Sequence, residues 1–236
     1  MDTPSLGSAT RLGFWAAILT VIVVAAFAAI GSTTPPRGGP FCVAECVAYP
    51  YVDVAQFIPG DYVWLVPGIL LAPVFVVLMA CVGAYAAEPR KLYGRIGLSF
   101  AIAYAVVILV DYVLQLAVVA PSLQAGETEG LSLFTQYDPH GLFIALESLG
   151  YSMMVVAFLF AAPVFTGGGV ERAIRGLFAL SFVLAVVAFV GLALLGHDFV
   201  AFEVTILSIT WIVLIASGTL LCVVFRRAGR ATRRPR

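Results

Sequence analysis

Apolar and charged residues are distributed along this chain in long blocks rather than in short periods. Six blocks of about 20 residues or more carry almost no charge, which is the length a helix needs to cross a hydrocarbon core. They lie at about 12–31, 62–85, 96–120, 142–165, 177–196 and 202–225. None shows the alternation of a barrel strand, and a backbone in lipid must satisfy its hydrogen bonds internally. We therefore predict an all-α fold in which residues 1–236 form a single transmembrane domain, a bundle of six transmembrane helices.

The composition agrees with this prediction. Of the 236 residues, 62% are hydrophobic and 11% are charged, whereas soluble domains average about 45–50% apolar and about 25% charged residues. The chain has too few polar side chains to cover a globule that faces water. Its 13 basic and 13 acidic residues cancel, so the sequence lacks the basic excess expected of a nucleic-acid partner.

Basic residues are segregated between the two sides of the predicted bundle. Twelve of the thirteen Lys and Arg residues lie in the N-terminal tail, in the loops after the second and fourth spans, or in the C-terminal tail. The loops on the opposite side contain only Arg37. Because basic residues near span ends stay cytoplasmic, we predict that both termini are cytoplasmic, and we expect a bacterial plasma membrane.

The two ends of the chain each allow two interpretations. The first span follows Arg11 and could be a cleaved signal peptide, but its apolar run is longer than the about 7–15 residues of a signal core, which favours a retained span. The tail at 226–236 carries six arginines. It is typical of a cytoplasmic anchor that contacts anionic lipid head groups, and a nucleic-acid or regulatory-protein site is the alternative.

The outer loop at 32–61 contains Cys42 and Cys46, four residues apart. Cysteines on the outer side of a bacterial membrane meet an oxidising compartment, and a disulfide can close this small loop if the backbone is not extended. A redox centre would more naturally use two spacer residues than the three present. The spacing therefore favours a structural disulfide.

Three acidic residues occupy unusual positions within or at the ends of the apolar blocks. Asp111 and Glu147 lie about 13 Å and about 9 Å from the outer ends of their spans at 1.5 Å per residue, and Glu203 begins the last span. Ionisable residues at membrane depth tend to face a cavity or a partner. Side chains at helical spacing from these acids, or just above them, complete a predicted polar pocket: Asp111, Gln115, Glu147, Tyr151, Glu203, Tyr104 and His140.

No Lys or Arg lies inside a span to neutralise these acids. Two close carboxylates in a low dielectric do not both ionise easily, so one holds a proton or a cation sits between them. The alternative is a structural role, in which protonated acids hydrogen-bond to each other, to Gln115 or to tyrosines and join the helices.

Several kinds of chemistry are disfavoured by the sequence. The two histidines, His140 and His197, are not in a metal-binding arrangement, and no nucleophile elbow is present. We expect neither a metal nor a cofactor.

The leading hypothesis is a membrane protein with an outward-facing acidic pocket that binds a small amphiphilic or cationic ligand, as a ligand-binding protein or proton-coupled transporter. The first alternative is a membrane enzyme of isomerase or transferase type, in which Asp111 and Glu147 act as acid and base on a lipid, sterol-like or isoprenoid substrate. The second is a structural or assembly subunit. Expected partners are membrane lipids and the ligand, and association into a homo-oligomer is left open.

Overall fold

The computed structural model describes residues 3–196 and 199–231, and this part of the chain is helical with no strand. Among these described residues, six helical stretches are long and apolar enough to cross a membrane, the same number as the predicted spans, which indicates an integral membrane protein. The helices are α1 (Thr3–Thr33), α2 (Leu65–Tyr85), α3 (Lys91–Leu114), α4 (Ala120–Ala125), α5 (Leu142–Ala161), α6 (Val170–Leu195) and α7 (Phe199–Ala231). Residues His197 and Asp198 and tail residues 232–236 lie outside the described residues.

A π-helical turn at Gln115–Val119 joins α3 to α4, so that one helical stretch runs from Glu88 to Ala125. Pro121 explains this turn, because its ring lacks an N–H and would clash with the carbonyl four residues before it in a regular α-helix. The wider turn lets the amide of Ala120 bond to the carbonyl of Gln115. Asp111 lies one turn before this irregularity.

The long helices form a closed ring in which α1 packs between α2 and α7, and α3 packs between α2 and α5. The ring continues from α5 to α6 and from α6 back to α7. Edge-on aromatic contacts fill its centre, with Phe75 at 5.4 Å from Tyr104 and 5.6 Å from Phe158 between ring centroids. The outward faces are also apolar, most of all on α6, as expected for helices that face lipid.

The predicted disulfide between Cys42 and Cys46 is present, with their Cα atoms 5.8 Å apart. It closes a turn within the first long loop, and a hydrogen bond of 2.8 Å from the amide of Val47 to the carbonyl of Arg37 joins the residues on either side of this turn. Val54, further along the loop, is fully buried. The loop therefore packs onto this end of the bundle as a folded cap.

The opposite end of the bundle is closed by hydrogen bonds around the connection between α5 and α6. Arg90 donates to the carbonyl of Pro163 at 2.7 Å, and Arg175 donates to that of Phe165 at 3.2 Å. Glu171 accepts the hydroxyl of Tyr85 at 2.8 Å. These contacts tie α2, α3, α5 and α6 together at the end away from the disulfide loop.

Two glycines allow α2 and α3 to approach closely. A Cβ atom on Gly94 would lie 2.8 Å from the Cα of Gly83, which is too short for a real contact. Because the obstructing atom belongs to the backbone, no side-chain rotation can relieve the clash. Small residues serve this purpose widely at helix contacts in membranes.

We expect Gly94→Leu to lower the free energy of unfolding by about 1–3 kcal/mol, the usual cost of overpacking. The measurement is thermal unfolding of the purified chain in a neutral detergent. Gly176→Leu on α6 is the matched control, since a Cβ there meets no atom within 4 Å. Equal unfolding midpoints for the two variants would contradict the close α2–α3 packing.

Candidate functional site

A cavity of about 450 Å³ lies at the end of the bundle that carries the disulfide loop. Its walls come from the last turns of α1, from the first turns of α5 and α7, and from the segment just before α2. Residues 34–38 of the loop between α1 and α2 contribute to it as well. So do Gln136, Tyr137 and Pro139 of the loop at 126–141, which is the second outer loop of the predicted topology. The cavity therefore joins sequence-distant segments that meet only at this end of the ring.

Two of the three predicted acids, Glu147 and Glu203, line the cavity. Glu147 has 0% exposure, and its Oε1 accepts a hydrogen bond from the hydroxyl of Tyr112. Its second carboxyl oxygen, Oε2, has no hydrogen-bond partner among the described residues. Glu203 is also buried, and its carboxyl interacts with that of Glu147.

Asp111 lies close enough to interact electrostatically with both glutamates, but it is not part of the cavity wall. The three acids therefore influence one another, with Asp111 behind the pair whose side chains line the cavity. Asp111 Oδ2 has no partner in the described part of the chain. No group of three or more acidic, His or Cys side chains in residues 3–196 and 199–231 is arranged to hold a metal ion.

Gln115 connects α3 to the second outer loop rather than to the cavity. Its side-chain amide donates to the carbonyl of Phe134 at 2.5 Å, and its carbonyl accepts the amide of Gln136 at 3.2 Å. Both ends of this buried side chain are thus used to hold the loop. Gln115 is absent from the cavity wall.

The two predicted tyrosines lie deeper in the bundle than the cavity. Tyr104 and Tyr151 are fully buried, with ring centroids 5.6 Å apart, and neither lines the cavity. The hydroxyl of Tyr151 lies 3.5 Å from that of Tyr112. The tyrosines therefore extend the polar cluster of Glu147 toward the centre of the ring.

His140 is exposed and is not part of the cavity wall. Its backbone amide donates to Oδ1 of Asp138 at 2.9 Å, in the turn before α5. The structure thus separates His140 from the acids with which the sequence grouped it.

Sequence reasoning missed Tyr112, the direct partner of Glu147. Tyr104, Ile108 and Tyr112 follow one another at four-residue spacing and are all fully buried, and a tyrosine on such a face needs a partner for its hydroxyl. Gly68 provides room for the ring, because a Cβ there would overlap Tyr112. The four-residue spacing could have shown from the sequence that Tyr112 lies on a buried face. That its partner is Glu147, and that Gly68 makes room for its ring, is visible only in the fold.

Arg37 was also missed, although it lines the cavity and anchors the first loop. It donates to Asp61 Oδ2 at 2.6 Å and to Glu45 Oε2 at 2.5 Å, and its guanidinium carbon lies 3.4 Å from the ring centroid of Phe57. Burial alone would lower the pKa of Arg37, but the hydrogen bonds to Asp61 and Glu45 outweigh it and raise that pKa. The arginine is a paired cation at the rim of the cavity.

Tyr137 joins the second outer loop to this ion pair. Its hydroxyl donates to Asp61 Oδ2 at 3.2 Å. Burial raises the pKa of Tyr137, and the negative charge of Asp61 adds to this effect. The phenol therefore stays protonated and keeps its donor role, so that Arg37, Asp61 and Tyr137 hold both loops over the cavity.

Aromatic side chains form much of the remaining cavity wall. Trp64, Phe143 and Trp211 line it, and Trp64 contacts Phe143 edge-on at 5.9 Å between centroids. Phe27 packs behind both tryptophans, at 5.7 Å from Trp64 and 4.8 Å from Trp211. The buried indole nitrogen of Trp211 has no partner among the described residues. Two residues of the cavity wall, Trp211 and Glu147, thus each carry a buried polar atom without a partner in this part of the chain.

No family model matches this chain, and comparison with curated proteins and with solved structures finds no match either.

We expect Arg37→Ala to destabilise the protein by about 3–5 kcal/mol, because removing one partner of a buried ion pair leaves the other charge uncompensated. The midpoint of thermal unfolding in detergent measures the change. Lys91→Ala is the matched control, since it removes the pairing of Lys91 with the exposed Glu88, a surface contact of about 0–1 kcal/mol. Similar small shifts in both variants would show that the Arg37–Asp61 pair does not hold the loops.

Proposed function

We propose that this protein binds a small cationic amphiphile in the cavity beside Glu147 and Glu203. The observation that carries the proposal is the completely buried carboxyl of Glu147, whose Oε2 lacks a partner among the described residues although the side chain lines a cavity. A buried polar group without a hydrogen bond is costly. A donor on a bound ligand would remove that cost.

The charge around the cavity favours a cation. Glu147 interacts with Glu203 and Asp111, and holding several carboxylates together in a low dielectric is unfavourable without a positive charge nearby. Arg37 lines the same cavity, but Asp61 and Glu45 already neutralise it. The acids by the cavity are thus left for a positive ligand, such as an ammonium group.

The shape and lining of the cavity support an amphiphilic ligand. A volume of about 450 Å³ lies within the range of about 300–1,000 Å³ typical of small-molecule sites. The faces of Trp64 and Trp211 attract an ammonium group through cation–π interactions. Ile144 and Leu207 add aliphatic surface to the wall, which suits an attached hydrocarbon chain.

The orientation predicted from the basic residues completes the proposal. Both termini are cytoplasmic, and the cavity faces the outside of a bacterial plasma membrane. Exchange of a ligand cation for a proton at Glu147 and Glu203 would couple binding to protons. Transport would further require the opposite end to open, where Arg90 and Arg175 now hold the α5–α6 connection.

A membrane enzyme is the second candidate, and the hydrogen bond between Tyr112 and Glu147 favours it specifically. It fixes one carboxyl oxygen of a side chain that lines the cavity and leaves the other without a partner among the described residues, as an acid or base in proton transfer requires. In this enzyme Glu203, rather than Asp111, would be the second group of the acid–base pair with Glu147, since Glu203 lines the cavity. A purely structural subunit needs no cavity that reaches the acids and is favoured less.

We expect Glu147→Gln and Glu203→Gln each to weaken binding of dodecylammonium by about tenfold to a hundredfold, the loss of a charged hydrogen bond of about 1.5–3 kcal/mol. The measurement is retention of radiolabelled dodecylammonium by the immobilised full chain in maltoside micelles, corrected for micelles alone. Binding to the unmodified chain should strengthen as pH rises, since the cation competes with protons at the carboxyl groups.

Glu129→Gln is the matched control for this experiment, because Glu129 is an exposed acid of the second outer loop that does not line the cavity. Unchanged affinity in both cavity variants, or an equal loss in the control, would overturn the proposal. Recovery of a chemically altered isoprenoid or sterol after incubation with the chain, lost in Glu147→Gln, would establish the enzyme instead.

The orientation predicts which loops a membrane-impermeant maleimide can reach in intact bacterial cells. We expect Glu129→Cys to be labelled in intact cells and Gly168→Cys to be labelled only after permeabilisation, because they lie in loops at opposite ends of the bundle. Labelling of the unmodified chain gives the background from the native cysteines. The reverse pattern would show that the cavity faces the cytoplasm.

A further inference from the structure

The cavity is bordered by residues on the outer flank of the bundle as well as by the loops above it. Val204 and Ser208 of α7 line it, as does Ser32 near the end of α1, and all three are exposed. A residue that is both exposed and part of a cavity wall marks an opening. These residues lie on two neighbouring helices that flank the cavity.

The way α1 and α7 meet explains this opening. A Cβ on Gly31 would lie 3.5 Å from the ring of Trp211, so the two helices touch at that level. Ser208 and Val204 lie three and seven residues before Trp211, on the same face of α7. Because α1 ends at Thr33, it does not cover this face above the contact, and the chain after α1 meets α7 again near Val200, which a Cβ on Gly39 would approach to 3.7 Å. We call the opening bordered by Ser32, Val204 and Ser208 the side window.

The window is lined by surface that a hydrocarbon chain can contact. Val204 is 43% exposed, and its neighbours on the outside of α7 include Ile212, which is 67% exposed. The hydroxyls of Ser208 and Ser32 are bonded to carbonyls of their own helices, at 2.7 Å and 3.0 Å. Neither serine therefore needs water at the window.

The loops above the cavity also contribute exposed apolar residues, Pro35, Pro36 and Phe41, but a polar network holds these loops in place. Arg37, Asp61 and Tyr137 are linked by hydrogen bonds there, and Gln136 donates to the carbonyl of Asp61 at 3.1 Å. A long alkyl chain gains nothing from this network, whereas it stays in apolar surroundings at the window.

We infer that the ligand is a lipid-like amine that reaches the cavity sideways from the membrane, with its ammonium group at Glu147 and Glu203 and its alkyl chain leaving through the window between α1 and α7. This inference rests on the proposed function and adds the class of ligand and its route. A water-soluble amine of similar head group, arriving from above, is the competing source of the same chemistry.

Chain length provides the first test, on the unmodified full chain. Binding that depends on Glu203 is identified by its loss in Glu203→Gln. The affinity of this Glu203-dependent site should be at least about a hundredfold higher for dodecylammonium than for butylammonium, because each buried methylene favours binding. Equal affinities would overturn the inference and leave the proposed function intact. Absence of Glu203-dependent binding of either amine would overturn both.

The window provides the second test. Val204→Phe and Ser208→Phe fill it from exposed positions, and each should slow the association of dodecylammonium about tenfold, followed by stopped-flow tryptophan fluorescence. Association of butylammonium should be slowed much less than that of dodecylammonium, since a short amine can arrive from above, and equal slowing of the two amines would contradict the sideways route. Ile212→Phe is the matched control, an exposed position of α7 outside the cavity wall. Unchanged rates in both window variants, or equal slowing in the control, would overturn the sideways route.

Discussion

The carboxyl group of Glu147 has no access to bulk water, and the surrounding protein must therefore satisfy it. A hydroxyl on α3, from Tyr112, satisfies one oxygen, and that ring fits only because Gly68 on α2 has no side chain in its path. The same carboxyl interacts with Glu203 on α7. One buried acid on α5 thus connects three other helices of the ring, and its second oxygen has no partner among the described residues. Because an unsatisfied polar group in an apolar environment costs free energy, packings that separate Glu147 from Tyr112 are disfavoured.

The two ends of the bundle are built differently, which gives the molecule a direction. At one end, short connections are tied by arginines that donate to backbone carbonyls, as Arg90 does to Pro163. At the other, two long loops fold over a cavity and are joined through Asp61, which accepts from both Arg37 and Tyr137. The loops there have enough polar side chains to form their own network above the buried acids. One end of the bundle therefore encloses a cavity under folded loops, and the opposite end is closed by short connections.

Much of the architecture could be predicted from the sequence, because hydrophobic length and charge position are local properties of a chain. Six apolar blocks become six helices that are long enough to cross a membrane, and the spacing of Cys42 and Cys46 indicates their disulfide. The depth of Asp111 and Glu147 along their helices also predicts that they lie near each other, since α3 and α5 are antiparallel neighbours.

The sequence by itself determined the helices and the presence of a buried acidic cluster, since both follow from the cost of placing charge and unsatisfied backbone groups in an apolar solvent. The tertiary structure decided which acids face the cavity. Asp111 and Glu203 are equally acidic in the sequence, yet only Glu203 lines it, because the rotation of α3 and α7 about their axes is set by packing. It also placed Arg37 at the cavity, where it pairs with Asp61, a residue 24 positions later in the chain. Helix rotation and long-range ion pairs depend on contacts between distant segments, which no local pattern encodes.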